Sequence, residues 1–187
     1  MNKIPMPTLG GLAIFAAYTI ATMFLLRKQM PTQQLYGMFA GQLIIIITGV
    51  IDDIIVLKPR QKVFGISLAA VVVFFFGNIQ MSSVSLPFIG TFGLGWFSLP
   101  ITWIWILAIT NAVNLIDGLD GLATGVAVIA LTTMGITGFF FLNVGNVYVS
   151  IMIFALVAAC LGFLPYNFFP ARIYLGDTGS LFIGFMI

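Results

Sequence analysis

The chain has 187 residues, of which 61% are hydrophobic and only 6% are charged. A soluble domain carries roughly a quarter charged residues, so this composition excludes a soluble enzyme and a disordered chain. The net charge of +2 gives no sign of a nucleic-acid partner. Long apolar runs favour membrane-spanning helices over a barrel, so the sequence predicts an all-α, polytopic membrane protein in contact with lipid.

Apolar runs separated by polar or Gly/Pro clusters predict six spans and the start of a seventh, in a single transmembrane domain over residues 1–187. The connection Gln80–Ser98 alternates apolar and small residues, which predicts a short extended hairpin at the extracellular membrane surface. The predicted spans are residues 9–26, 35–51, 63–79, 99–116, 122–142, 147–164 and 180–187 onward.

Basic residues are unevenly divided between the two predicted faces. The face of the N-terminus carries Lys3, Lys58, Arg60, Lys62 and Arg172, and the other carries Arg27 and Lys28. The more basic face is predicted to be cytoplasmic. The same alternation places all five acids on this face, namely Asp52, Asp53, Asp117, Asp120 and Asp177.

The first acidic motif is Asp52-Asp53, followed by Lys58 and Lys62. Two adjacent carboxylates at a membrane edge repel each other unless a cation compensates them. The motif therefore indicates either a cation and phosphate site or a solvated acid pair neutralised by Lys58 and Lys62.

The second motif runs from Asn111 to Leu122. In a helix, Asn111, Asn114 and Asp117 would form one polar stripe, which Asp120 continues. Two amides at the end of an apolar span are costly to bury without partners, which favours a binding site. The alternative is that Asp117 or Asp120 caps the next helix, a use compatible with binding.

The third motif contains Asn167 and Arg172 and ends in Gly176-Asp177-Thr178-Gly179-Ser180. Such a turn at a helix start offers backbone N–H groups to phosphate. Asp177 could bind a divalent cation and Arg172 a phosphate. Alternatively, Asp177 only caps the helix.

A fourth motif without acids, Pro7-Thr8-Leu9-Gly10-Gly11, follows Lys3. This irregular segment before the first span either belongs to a cation and phosphate site with the acidic motifs or is a plain juxtamembrane turn.

Taken together, several Asp and Asn with nearby Lys and Arg suit Mg²⁺ and phosphates. The chain has no His and one cysteine, Cys160, so soft-metal sites and Ser/His or Cys/His nucleophiles are not expected. A cation transporter would instead place acids near the middle of spans.

At these motifs the sequence resembles the polyprenyl-phosphate N-acetylhexosamine-1-phosphate transferases, a superfamily of multi-pass enzymes of the bacterial plasma membrane. Pro7-Thr8-Leu9-Gly10-Gly11 is similar to the family's PTxGG entry, Asp52-Asp53 to its Asp-Asp motif, and Gly176-Asp177-Thr178-Gly179-Ser180 to its GDxGS turn. Residues 111–123 are similar to its NxxNxxDGxDGLA segment.

The resemblance implies Mg²⁺-dependent transfer of a sugar 1-phosphate from a UDP-sugar to undecaprenyl phosphate at the cytoplasmic face, with release of UMP. It implies Asp177 and Asp117 as metal ligands, and Asp52 or Asp53 as the group that deprotonates or orients the lipid phosphate. The expected catalytic residues are Asp52, Asp53, Asp117 and Asp120. The expected substrate-binding residues are Lys3, Thr8, Lys58, Lys62, Asn111, Asn114, Asn167 and Arg172.

Within the superfamily, residues 111–125 are most similar to the branch that transfers GlcNAc-1-phosphate to initiate teichoic acid synthesis. Phospho-MurNAc-pentapeptide transfer is the alternative, and a truncated, non-catalytic membrane protein that binds lipid phosphate is another. The family carries further spans and a His-containing loop after GDxGS, so the chain is expected to be C-terminally incomplete. A homodimer is also compatible with the resemblance.

Overall fold

A computed structural model of the protein describes residues 7–26, 30–86, 88, 90–140 and 147–187. Within these ranges the chain forms seven α-helices, one short 3₁₀ turn and one two-stranded hairpin. The helices are α1 (Gly10–Leu26), α2 (Thr32–Ile55), α3 (Pro59–Phe75), α4 (Ser98–Ile116), α5 (Leu122–Phe140), α6 (Val147–Asn167) and α7 (Gly176–Met186), and the strands are β1 (Ser83–Leu86) and β2 (Gly90–Gly93).

Four helical segments are long and apolar enough to cross a membrane: α2, Gly95–Ile116 (the 3₁₀ turn with α4), α5 and α6. Helix α1 is a shorter apolar helix of 17 residues. The predicted all-α, polytopic membrane fold is therefore confirmed.

Helix α2 is longer than the predicted span 35–51 and contains Asp52 and Asp53 in its last turn. It ends at Val56, whose positive φ of 51° breaks the helix while its N–H still bonds to the Asp52 carbonyl at 2.8 Å. Because both aspartates are helical, consecutive side chains point in different directions. The Asp-Asp pair is thereby separated into two environments.

Other boundaries differ from the predictions by a few residues. Helix α3 begins at Pro59, four residues before the predicted span, because proline is favoured in the first helical turn. Helix α6 continues through Pro165 to Asn167, and α7 begins at Gly176 rather than at residue 180. The last two residues of the predicted span 122–142 lie outside the described residues.

The predicted hairpin is present between α3 and α4. Its antiparallel strands pair Ser83 with Gly93 and Leu86 with Gly90. Because α3 separates the hairpin from the α2–α3 connection, the hairpin lies at the opposite end of the bundle from Asp52 and Asp53.

Helix α7 forms the centre of the bundle, where it packs against α1, α2 and α4. Leu181, Phe182 and Ile183 have no exposed surface. The Phe182 ring makes edge-to-face contacts with Phe15 at 5.4 Å and Tyr18 at 5.8 Å between centroids. Helix α7 is thus enclosed by helices that come much earlier in the chain.

Glycines allow α1 and α2 to approach α7 at backbone distance. A Cβ on Gly11 of α1 would overlap the backbone of Gly179, and a Cβ on Gly49 of α2 would lie 2.5 Å from the Thr178 Cα. Small residues permit this close approach of membrane helices. The second glycine of the PTxGG-like motif, Gly11, therefore packs against α7.

Replacing Gly11 with Ala is expected to lower the free energy of unfolding by about 1–3 kcal/mol, because the added methyl meets backbone that cannot move aside. The matched control is Gly138→Ala in α5, where a Cβ would meet nothing within 4 Å. The control should keep or raise stability by about 0.5–1 kcal/mol, since Ala is the better helix former. Thermal unfolding in detergent measures both. Equal stability of the two variants would contradict the close approach.

Candidate active site

Three of the sequence motifs meet around one cavity at the end of the bundle that contains Asp53. The cavity has a volume of about 380 Å³. It is lined by the end of α2, the α4–α5 connection, the end of α6 and the start of α7. The lining residues are Asp53, Asn114, Asp117, Gly118, Leu119, Asp120, Asn167, Tyr174, Leu175, Gly176 and Asp177.

The Asp177 carboxylate lies in the first turn of α7 and is held from two sides. The Asn114 amide donates a hydrogen bond to Oδ1 of Asp177, and the Lys62 ammonium lies 3.2 Å from the same oxygen. Asn114 also donates to the Ser180 hydroxyl at 2.8 Å. Asp177 is therefore fixed by α3 and α4, and the interpretation of its side chain as a simple helix cap is wrong.

The carboxylate that caps α7 is Asp53, from the end of α2. Its Oδ1 accepts the Asp177 N–H at 2.8 Å, and its Oδ2 accepts the Thr178 N–H at 3.0 Å and the Thr178 hydroxyl at 2.6 Å. These bonds satisfy amides that a helix start leaves without intrahelical partners. The buried Thr178 was not among the predicted site residues, although it lies within the quoted GDxGS turn.

The adjacent Asp52 lies in a different environment. It is only 2% exposed, pairs with the Lys62 ammonium and accepts the Leu57 N–H at 2.6 Å. Asp52 does not line the cavity. The alternative of a solvated acid pair is therefore wrong for Asp52, although Lys62 does supply the expected neutralising charge.

Lys62 bridges Asp52 and Asp177, whereas Lys58 takes a different place. Lys58 is exposed, and its N–H donates to the Gln61 side-chain carbonyl at 2.9 Å at the start of α3. Of the predicted lysines Lys58 and Lys62, the structure therefore brings Lys62 to the acids and leaves Lys58 at the surface.

Asp117 ends α4 and lines the cavity. Burial raises the pKa of its carboxyl to about 6, and the negative charges of Asp177 and Asp53 add to this rise. Besides burial, the carboxylates of Asp177 and Asp53 place negative charge close to Asp117, and a cation in the cavity would offset this repulsion.

Asp120 anchors the α6–α7 connection. Its Oδ2 accepts the Ala171 N–H at 3.0 Å, which ties the α4–α5 connection to residue 171. The alternative prediction was that Asp120 caps the next helix, α5, but its carboxylate instead accepts the Ala171 N–H. Asp120 also lines the cavity, so it combines this structural contact with access to the site.

Asn167 and Asn111 make contrasting contacts. Asn167 is buried at the cavity, where it accepts from the Thr124 hydroxyl at 3.1 Å and donates to the Ile173 carbonyl at 3.2 Å. The Asn111 amide instead donates to the Leu107 carbonyl of its own helix at 2.7 Å, and Asn111 does not line the cavity. Of the predicted polar stripe, Asn114, Asp117 and Asp120 therefore reach the cavity, and Asn111 does not.

The side chains of Arg172 and Thr8 do not line the cavity. Arg172 is exposed on a neighbouring groove that it shares with Tyr166, Phe168 and Phe169. The Thr8 side chain is exposed. Lys3 lies outside the described residues.

Thr8 takes part in the site's architecture through its backbone. Gly176 has a φ of +73°, and a Cβ there would overlap the Thr8 carbonyl and lie 2.8 Å from the Asp53 carboxylate. Only glycine fits this position. In the same region the Gly11 N–H donates to the Leu175 carbonyl at 3.0 Å, which fixes the start of α1 against the start of α7.

The donor set of the cavity fits a hard cation such as Mg²⁺. Within the described ranges, no three Asp, Glu, His or Cys side chains converge closely enough to form a complete protein cage. Mg²⁺ commonly binds through one or two carboxylates while keeping waters and substrate phosphates as its other ligands. Asp177 and Asp117 are the carboxylates that could serve in this way.

Comparison with known proteins gives one family match, to glycosyl transferase family 4 over residues 35–187. The chain is 41% identical to a probable undecaprenyl-phosphate N-acetylglucosaminyl 1-phosphate transferase of Bacillus subtilis, over 97% of this chain and 49% of that protein. It is 39% identical to a phospho-N-acetylmuramoyl-pentapeptide-transferase of Clostridium beijerinckii, over 100% of this chain and 59% of that protein. A protein of the same name from Clostridium botulinum is 37% identical, over 98% of this chain and 58% of that protein.

The chain thus spans about half to three-fifths of the length of these relatives. The matched range contains Asp53, Asn114, Asp117 and Asp177, which line the cavity, and Lys62, which holds Asp177. Because the family match covers most of its length and the chain has a helical membrane fold, the chain belongs to glycosyl transferase family 4.

Proposed function

We propose that the protein transfers GlcNAc-1-phosphate from UDP-GlcNAc to undecaprenyl phosphate and releases UMP. The observation that carries this proposal is the cavity in which Asp117 and Asp177 meet Asn114 at one end of a membrane bundle. The name of the Bacillus subtilis relative supports the GlcNAc donor and the undecaprenyl phosphate acceptor. The excess of basic residues on this face supports a cytoplasmic orientation.

In the proposed reaction, an oxygen of the lipid phosphate forms a bond to the phosphorus that carries the sugar, and the bond from that phosphorus to UMP breaks. Both reactants are anions, so charge repulsion is a large part of the barrier. Mg²⁺ held by Asp177 and Asp117 would offset this repulsion and neutralise the leaving phosphate.

The protein's own groups would orient the reactants around these carboxylates. Asn114 and Lys62 keep Asp177 directed at the cavity. Lys58 and Arg172 are exposed and could attract phosphate charge before binding. Asn167 and Asp120 hold the α6–α7 connection that forms one wall of the cavity.

A second donor, UDP-MurNAc-pentapeptide, is the alternative because two of the relatives above are named for that transfer. Exchange of radiolabelled UMP into each UDP-sugar, in membranes that contain undecaprenyl phosphate, separates the two. We expect label in UDP-GlcNAc and at least about tenfold less in UDP-MurNAc-pentapeptide. The opposite preference would assign the alternative donor, and no exchange with either would reject the proposed activity.

Asp177→Asn is expected to lower the exchange rate by at least about a hundredfold, because it keeps the side chain's size but removes the charge that would bind the cation. The fold should survive, because Asp53 rather than Asp177 caps α7. Thermal unfolding in detergent checks this. Near-normal exchange at limiting Mg²⁺ in a folded variant would contradict the metal assignment.

The raised pKa of Asp117 predicts that divalent-cation binding weakens as the pH falls through about 6. Below that pH the carboxyl is protonated and neutral, so it no longer attracts the cation, and affinity should fall by up to about tenfold per pH unit. Binding of Mn²⁺, followed by electron paramagnetic resonance between pH 5 and pH 8, measures this dependence without turnover.

The control for this titration is Asp117→Asn, whose side chain does not ionise. It should bind Mn²⁺ more weakly at pH 8 and show a flatter pH dependence below pH 7. If the variant kept the steep dependence of the unmodified protein, another group would be responsible.

A further inference from the structure

Asp53 lines the cavity, yet all the contacts of its carboxylate described above are directed at α7. Three donors, two backbone N–H groups and the Thr178 hydroxyl, occupy its two oxygens. Three of the roughly four acceptor sites of the carboxylate are therefore used in holding the start of α7.

Helix α7 depends on this external carboxylate because its own sequence supplies no side-chain cap. Leu175 stands at the N-cap position, where Ser, Thr, Asp or Asn would be favoured, and it has no side-chain hydrogen-bond acceptor. Asp53 lies 124 residues earlier in the chain than the Asp177 N–H that it binds. A negative charge at this end also interacts favourably with the helix dipole.

The cap acts on the residue that would bind the metal. Asp53 accepts the backbone N–H of Asp177 itself, so it fixes the position from which the Asp177 side chain projects toward Asn114 and Lys62. A shift of the α7 start would therefore move the Asp177 carboxylate away from its place in the cavity and weaken its hold on a cation.

The proposed chemistry does not require Asp53 as a base. A phosphate monoester has a second pKa of about 6, so most of the lipid phosphate is already a dianion at neutral pH. Orientation and charge compensation are then the main requirements for its attack.

We propose that Asp53 is a positioning residue, which caps α7 and thereby directs the Asp177 carboxylate into the cavity. This inference rests on the proposed transfer reaction for its catalytic consequence, whereas the cap and its effect on cation binding can be tested without turnover. For Asp53, it replaces the expectation that Asp52 or Asp53 deprotonates or orients the lipid phosphate.

The test compares Asp53→Asn with the unmodified protein, purified from its membrane. Asn keeps one acceptor oxygen, so α7 stays partly capped but the Asp177 backbone is less firmly held. We expect Mn²⁺ binding, read by electron paramagnetic resonance, to weaken by about fivefold or more. At saturating Mg²⁺ the exchange rate should stay within about tenfold of normal and keep the same pH profile.

The base hypothesis predicts a different pattern for the same variant. Loss of a general base costs about 10²–10⁴-fold in rate. A loss of this size at saturating Mg²⁺, with a flattened pH profile and normal Mn²⁺ binding, would overturn the proposal.

Thr178→Val provides a second test if Asp53→Asn does not fold. It removes only the hydroxyl that donates to Asp53, at a side chain with no exposed surface. Its matched control is Thr133→Val in α5, where the lost hydroxyl bonds only to the Ile129 carbonyl of the same helix at 2.9 Å. Weaker Mn²⁺ binding in the Thr178 variant than in the Thr133 variant supports the proposal, and equal binding overturns it.

The two kinds of failure can be told apart. If the unmodified protein shows no exchange with either donor, the proposed reaction is rejected. The Mn²⁺-binding comparison of the Asp53 and Thr178 variants then still decides whether the cap positions Asp177.

Discussion

The contact of α7 with the glycine faces of α1 and α2 is the constraint on which the rest of the structure depends. Where Gly11 and Gly49 meet Gly179 and Thr178, the separation is a backbone separation with no room for a side chain. This closeness brings the Asp53 carboxylate of α2 within hydrogen-bond distance of the first amides of α7. The close packing of α1 and α2 on α7 therefore also determines the hydrogen bonds between Asp53 and the start of α7.

The electrostatics of the site follow from how the acids are divided. Asp52 is buried with Lys62, Asp53 faces the helix start, and Asp120 holds the Ala171 N–H. Each of these carboxylates faces a protein donor or a lysine. Asp117 carries a raised pKa because burial, together with the negative charges of Asp177 and Asp53, disfavours its charge. Some of these acids thus stabilise the fold, whereas Asp117 is placed where it could bind a cation.

The sequence was sufficient to predict the helical membrane fold, the hairpin and the grouping of acids at one end. Long apolar runs predict the helices because the bilayer requires spans of a given length. Since successive loops lie on alternate faces, the order of the spans predicts which acids share a face. The division of labour within Asp52-Asp53 was not predictable, since it depends on α2 continuing through both residues. The capping partner of α7 was equally hidden, because the bond joins residues 124 positions apart.

The stripe Asn111, Asn114 and Asp117 shows the same limit on a smaller scale. Helical spacing correctly grouped these residues on one face of α4, but spacing does not say how far along the helix the cavity extends. Asn111 lies about one turn deeper than Asn114 and bonds to its own backbone. A polar residue within an apolar span can satisfy itself in this way without any ligand.

The central position of α7 has a consequence for how the protein is made. Helices α1, α2 and α4 are synthesised before α7, yet their contacting faces are completed only when α7 lies between them. During synthesis the earlier helices must therefore remain apart, or separate again, to admit it. The glycine faces of α1 and α2 then meet lipid until α7 arrives, and the acids of α2 and α4 are brought together in the same step. Ribosome arrest before residue 176 would thus leave a chain that is already in the membrane but has no assembled site.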